Sequence, residues 1–84
     1  MPHAVYSDAQ SVLVAVLTQA RRDAGLLQAE VAARVGKDQS YISNIERGQR
    51  RVDVPEFYAL AVAMQADPAK LFASFLDAMA TIES

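Results

Sequence analysis

Residues 28–48 read QAEVAARVGKDQSYISNIERG, and the fold turns on them. Val31, Ala32 and Val35 recur at the spacing of one helical face, and Ile42 and Ile45 repeat that spacing after a break. Gly36 lies between the two runs, where a sharp turn needs a residue that tolerates positive φ. Asp38 follows at the place where a second helix would take its N-cap. Ala32 is small and central in the first stripe, so another helix can cross close over it. The stretch therefore predicts two short helices meeting at a tight turn.

Working outward, Ser7-Asp8-Ala9-Gln10 reads as a capping box, with Ser7 at the N-cap and Met1–Tyr6 as a loose end. The helix it opens is expected to run to about Ala24, with Leu13, Val16, Leu17 and Ala20 on its apolar face. Val12 and Val14 broaden that face and are expected to cover a later helix. Gly25 ends the helix, Leu26 enters the core and Gln28 opens the next one. The third helix is expected from Gln39 to Arg47. Ile42 and Ile45 face inward, while Gln39, Ser40, Ser43 and Asn44 face outward. After the basic loop Gln49-Arg50-Arg51-Val52, Asp53, Pro55 and Glu56 mark a helix start. Phe57, Leu60, Ala61 and Met64 form its core stripe. Asp67-Pro68 starts a last helix, residues 68–82, carrying Leu71, Phe72, Phe75, Leu76, Met79 and Ile82 with no Gly or Pro to stop it. The expected fold is all-α, a compact five-helix bundle in one domain, residues 1–84, with a prolonged C-terminal helix.

Eighty-four residues suit one small domain. The absence of cysteine excludes a disulfide framework and a thiolate metal site. No apolar run is long enough to span a membrane. No basic region precedes an apolar block at the N-terminus, so no signal peptide is expected and a cytoplasmic location is. His3, the single histidine, falls in the expected loose end, and the serines have no histidine base. Metal-ligand spacings and Gly-rich phosphate loops are missing too, so neither an enzyme nor a cofactor is expected.

The net charge of −2 argues against a polyanionic partner until its distribution is read. Residues 21–51 hold Arg21, Arg22, Arg34, Lys37, Arg47, Arg50 and Arg51 against Asp23, Glu30, Asp38 and Glu46, a net +3. The remainder carries −5, with Lys70 alone against six acids. A basic module in an acidic remainder suits a chain that presents one face to phosphates. The outward face of the third helix suits base edges. Gln and Asn offer a donor and an acceptor together, which matches adenine, and Ser serves either kind of edge.

The 28–48 stretch is the layout of a helix-turn-helix. It resembles the phage-repressor-like regulators, the Cro/repressor or xenobiotic-response-element family. Gln28, Ala32, Gly36, Gln39, Ile42 and the Ile-Glu-Arg-Gly of 45–48 carry the resemblance, which extends from about Leu13 to Phe72. It implies a lambda-repressor-like domain and a sequence-specific regulator of transcription, a repressor or autoregulator, on double-stranded DNA. By the same resemblance Gln39, Ser40 and Asn44 read bases, and Gln28 holds backbone phosphate. Ser43 is a candidate for either role. Lys37, Tyr41, Arg47, Arg50 and Arg51 are further phosphate candidates. Arg21 has two readings, a phosphate contact or the structural ion pair with Glu46 that the resemblance implies, and the pair is favoured. The sequence departs from the family at Leu27, where a capping Ser or Thr is usual, and at Lys37, where relatives carry an apolar turn residue.

One such module reads too few bases for regulatory specificity, so a homodimer on a palindromic operator is expected. Phe72, Phe75, Leu76, Met79 and Ile82 are the candidate interface. Phe72 and Leu76 are expected to cover the first helix, leaving Phe75, Met79 and Ile82 for the partner. An alternative role is an antitoxin-type module that binds a toxin and autoregulates its operon.

Overall fold

The structure is a computed structural model that describes the backbone of residues 5–83 and the side chains of residues 8–82. Five helices follow in order: α1 Val5–Asp23, α2 Gln28–Arg34, α3 Gln39–Glu46, α4 Val54–Ala63 and α5 Pro68–Glu83. No strand occurs among the described residues. Val14, Leu17, Val31, Ala32, Ile42, Ile45, Val52, Phe57, Leu60 and Met64 form one core shared by α1 to α4 and the loop before α4. Ala32 is 1% exposed, as a close helix crossing requires. Leu13, Ala20, Leu26 and Leu71 pack around this centre.

Local chemistry sets the boundaries. α2 ends as Lys37 N–H donates to Ala32 O (2.9 Å) and Gly36 N–H to Ala33 O (3.1 Å). Gly36 sits at φ +74°, the left-handed conformation that closes such a turn. Asp38 caps α3 by accepting from Tyr41 N–H, and Asp53 caps α4 by accepting from Glu56 N–H. Glu56 returns the favour to Asp53 N–H, completing a capping box. Leu27 offers α2 no side-chain cap; Glu30 accepts from Leu27 N–H instead. α4 ends without glycine, Gln65 taking φ 59°.

The structure corrects four expectations. α1 begins at Val5, so Ser7 lies inside the helix, and Val5 and Tyr6 are helical. Met1–Ala4, including His3, lie outside the described residues. Gln10 has a long-range role: its amide accepts from Val52 N–H (3.1 Å) and donates to Val52 O (3.2 Å). Val52 is 4% exposed and has no helix to satisfy its backbone, so one primary amide on α1 replaces the missing ladder. Second, α3 stops at Glu46, with Arg47 as its C-cap. Third, Val14 belongs to the central core, while Val12 faces α5 together with Ala15 and Val16.

The fourth correction concerns α5. It packs against α1 and α4, but Phe72 and Leu76 are not its covering residues. They are 43% and 52% exposed, while Phe75 and Met79 are half-buried. Ala78 and Ile82 line the seam with Val12 and Val16, so the helix is turned from the expected orientation. Phe72 stays at the α4 side, its ring edge-on to Phe57 at 6.0 Å.

Gln10→Ala should lower stability by about 1–3 kcal/mol, because it strands two buried backbone groups of Val52. Urea unfolding measures this; an unchanged midpoint would show that the amide does not hold the loop.

Candidate nucleic-acid interface

The site is built outward from one carboxylate. Arg21 near the end of α1 meets Glu46 at the end of α3 through two contacts, Nε–Oε2 at 2.6 Å and Nη2–Oε1 at 3.0 Å. The third guanidinium nitrogen donates to Leu26 O at 2.8 Å. Both side chains are only 12% exposed. Gln28, the first residue of α2, donates its amide to Glu46 Oε1 at 2.9 Å. Three helices are thus tied at Glu46.

The chain of contacts continues to the surface. A carboxylate only accepts, so Gln28 presents its NH₂ to Glu46 and its oxygen outward. That oxygen accepts from Gln39 Nε2 at 3.2 Å. The exposed amide of Gln39 is therefore oriented by a relay that begins at a largely buried ion pair. Ser40 Oγ donates to Asp38 Oδ1 at 2.6 Å, and Arg47 Nη2 donates to Asn44 Oδ1 at 2.7 Å. Gln39 and Ser40 are exposed; Ser43 and Asn44 are half-buried.

A second cluster lies where the α3 start meets the α4 start. Tyr41 hydroxyl donates to Glu56 Oε2 at 3.1 Å. The Arg50 guanidinium also pairs with Glu56 and lies 4.9 Å from the centre of the Tyr41 ring. Lys37 Nζ lies 5.6 Å from the same ring centre. The loop arginines Arg47, Arg50 and Arg51 border an open groove with Arg22 of α1. Arg34 is occupied elsewhere, donating to Ala63 O at 2.7 Å and so closing the end of α4.

The titratable groups report the same geometry. Burial by itself would raise the Glu46 carboxyl, but hydrogen bonds from Arg21 and Gln28 and the charge of Arg21 outweigh it and hold it below its ordinary value. Glu56 behaves alike: burial raises it, while Asp53 N–H, Tyr41 and Arg50 bring it down. Burial, then the neighbouring Glu56 charge, pushes the Tyr41 phenol up. Among the described residues no group of His, Cys, Asp or Glu is placed to hold a metal ion.

The structure brings Gln28, Gln39, Arg21 and Glu46 into one network, and Lys37, Tyr41 and Arg50 into another. The role of Glu56 in the second was not read from the sequence, where it registered only as a capping residue. Its signal is weak: position 56 is six residues from Arg50 across a turn, and no periodicity links the two.

A folded Glu46 with a lowered pKa contributes stability that is complete above the ordinary glutamate range and lost as pH falls through its folded value. Glu46→Gln should therefore flatten the loss of stability between about pH 5 and pH 3. Urea midpoints across that window measure it, and identical slopes in the two proteins would remove the ion pair as a source of acid sensitivity.

Comparison with known proteins agrees with this geometry. The helix-turn-helix family HTH_3 matches residues 17–71. The HTH-type transcriptional regulator y4dJ of Sinorhizobium fredii is 50% identical over 44 residues, 52% of this chain. The match spans 57% of that protein, little more than half its length. An XRE-family like protein from Pseudomonas syringae pv. tomato superposes with a TM-score of 0.81 at 34% identity, covering 87% of this chain and 89% of its own. The restriction–modification controller protein C.Esp1396I, solved as a tetramer with its natural 35 base-pair operator, shares the fold at a TM-score of 0.78 and 21% identity, over 84% of this chain and 93% of its own. With the family match covering more than half of its length, the chain belongs to the XRE-type helix-turn-helix family of transcriptional regulators.

Proposed function

We propose that the protein is a sequence-specific DNA-binding regulator that places α3 in the major groove and acts as a homodimer on a palindromic operator. The observation that carries this reading is the relay from Arg21 through Glu46 and Gln28 to Gln39. It fixes the direction of an exposed amide on the outward face of a short helix, which a solvent-facing glutamine does not need. Gln39, Ser40, Ser43 and Asn44 read base edges. Gln28, Lys37, Tyr41, Arg47, Arg50 and Arg51 hold backbone phosphates and fix the register. No described helix is long and apolar enough to cross a membrane.

Gln39→Ala and Asn44→Ala should each lose about 1–3 kcal/mol of discrimination at one base position. The test selects a preferred site from a random duplex library and compares binding to that site and to a scrambled duplex. Equal weakening on both duplexes would show that these side chains do not read bases.

The dimer reading follows the exposed apolar side chains. Val54, Tyr58 and Val62 are 77%, 61% and 51% exposed and recur every four residues along the outer side of α4. A surface helix that is apolar on both faces needs a second cover. Phe72 and Leu76 of the neighbouring α5 are exposed as well, at 43% and 52%, while Ile82 belongs to the seam with α1. Phe75 and Met79, half-buried within the chain, contribute less than the spacing along α5 suggests. A two-fold contact through this row conceals it on both copies and sets two α3 helices about one DNA turn, ~34 Å, apart. Covering the exposed half of a side chain such as Leu76 contributes about 1 kcal/mol.

Replacing Tyr58 and Leu76 together by glutamate should give a folded monomer with much weaker binding to the selected site. Sedimentation and circular dichroism decide it. A double variant that stays dimeric places the interface elsewhere, and a monomeric parent protein would assign the apolar row to another protein, as the antitoxin reading requires.

A further inference from the structure

The basic loop is held by a residue outside the helix-turn-helix. Glu56, in the first turn of α4, accepts from Asp53 N–H through Oε1 at 3.0 Å and from Tyr41 hydroxyl through Oε2 at 3.1 Å. The Arg50 guanidinium takes that same Oε2 and rests against the Tyr41 ring. A carboxylate beside a planar guanidinium is the chemistry by which an arginine holds a phosphate. The free protein therefore already gives Arg50 an anion.

We propose that Glu56 is an internal competitor for the DNA phosphate and sets how tightly the 49–52 loop grips the backbone. The inference rests on the reading of Arg50 as a phosphate contact. Two features make the arginine the movable partner. Its side chain is 45% exposed, against 21% for Glu56, so the cation lies at the rim and the carboxylate is set deeper. When Arg50 leaves, Glu56 keeps Asp53 N–H and the Tyr41 hydroxyl, so no buried charge is stranded. Lys37 remains over the ring that Arg50 vacates. Exchange of Glu56 for phosphate thus costs little, but it subtracts the strength of one ion pair from every DNA complex, whatever the sequence.

Glu56→Gln tests this, because glutamine can keep its oxygen on Asp53 N–H and turn its NH₂ to the Tyr41 hydroxyl oxygen, which then accepts, but it no longer competes as a charge. Binding is measured by fluorescence anisotropy on a mixed-sequence duplex and on the selected site, with circular dichroism to establish folding. The expected result is about twofold to fivefold tighter binding per protomer on both duplexes, the range an exposed ion pair spans, and no gain when Arg50 is already alanine. Glu56→Asp, which draws the carboxylate back by one methylene and keeps a charge at the α4 N-terminus, should give part of the gain. Equal tightening in the Arg50→Ala background would show general repulsion and overturn the proposal. Unchanged or weaker binding by Glu56→Gln would do so too, by showing that the carboxylate presents Arg50 to DNA. Arg50→Ala alone should make the log–log salt dependence shallower by about 0.9 per protomer. Were that slope unchanged, the phosphate reading of Arg50 would fail and the competition with it. A shallower slope without a Glu56→Gln gain would leave that reading standing and remove only the competition.

Discussion

The ion pair between Arg21 and Glu46 is the constraint on which the relative placing of α1, α2 and α3 depends. It joins the C-terminal ends of α1 and α3, and Gln28 adds the first residue of α2 to the same carboxylate. Hydrophobic contacts among Ile42, Ile45, Val31 and Leu17 hold these helices together, but such contacts are non-directional and tolerate small rotations. Paired nitrogens on paired oxygens do not. A largely buried pair adds little net stability over apolar residues of similar size, whereas loss of one partner leaves a charge poorly solvated. Its contribution is orientation, which is what the proposed placing of α3 against base edges would require.

A division of labour follows. α1, α2, α3, the Val52 loop and the inner face of α4 build the core, while the outer sides of α4 and α5 add nothing to it. Val54, Tyr58, Val62, Phe72 and Leu76 stay in water in a single copy although α4 is apolar on both sides. The domain thus has a closed centre and an exposed apolar surface, the feature on which the proposed dimer rests.

The helix-turn-helix was legible because its determinants are local. Gly36 at positive φ, Asp38 as a cap and the Ile42/Ile45 pair act within a few residues of themselves, so spacing alone reveals them. The expectations that failed involve partners far apart in sequence. Gln10 reads as part of a capping box because its true partner, Val52, lies forty-two positions away. The rotation of α5 is not legible for a related reason. Its apolar residues occupy more than half the circumference, so periodicity does not say which side meets α1 and which stays exposed. The outer row of α4 shows the same ambiguity, hidden in the sequence beside the stronger inner stripe of Phe57, Leu60, Ala61 and Met64.

Of the two polar clusters, the first is directional and the second is replaceable, and on the proposed function this difference would separate specificity from affinity. In the Arg21–Glu46–Gln28–Gln39 relay each donor faces one acceptor, and the two charged members are shielded. Disturbing it changes where an amide points. In the Arg50–Tyr41–Glu56 cluster the cation is exposed and its anion has other donors, so one oxyanion can substitute for another without moving a helix. A protein that must search much non-cognate DNA benefits from keeping these terms apart, since phosphate contacts strengthen binding to every sequence alike. On the proposed function, a fixed relay on α3 with an adjustable loop beside it would let the first set which site is read and the second set how long the protein stays.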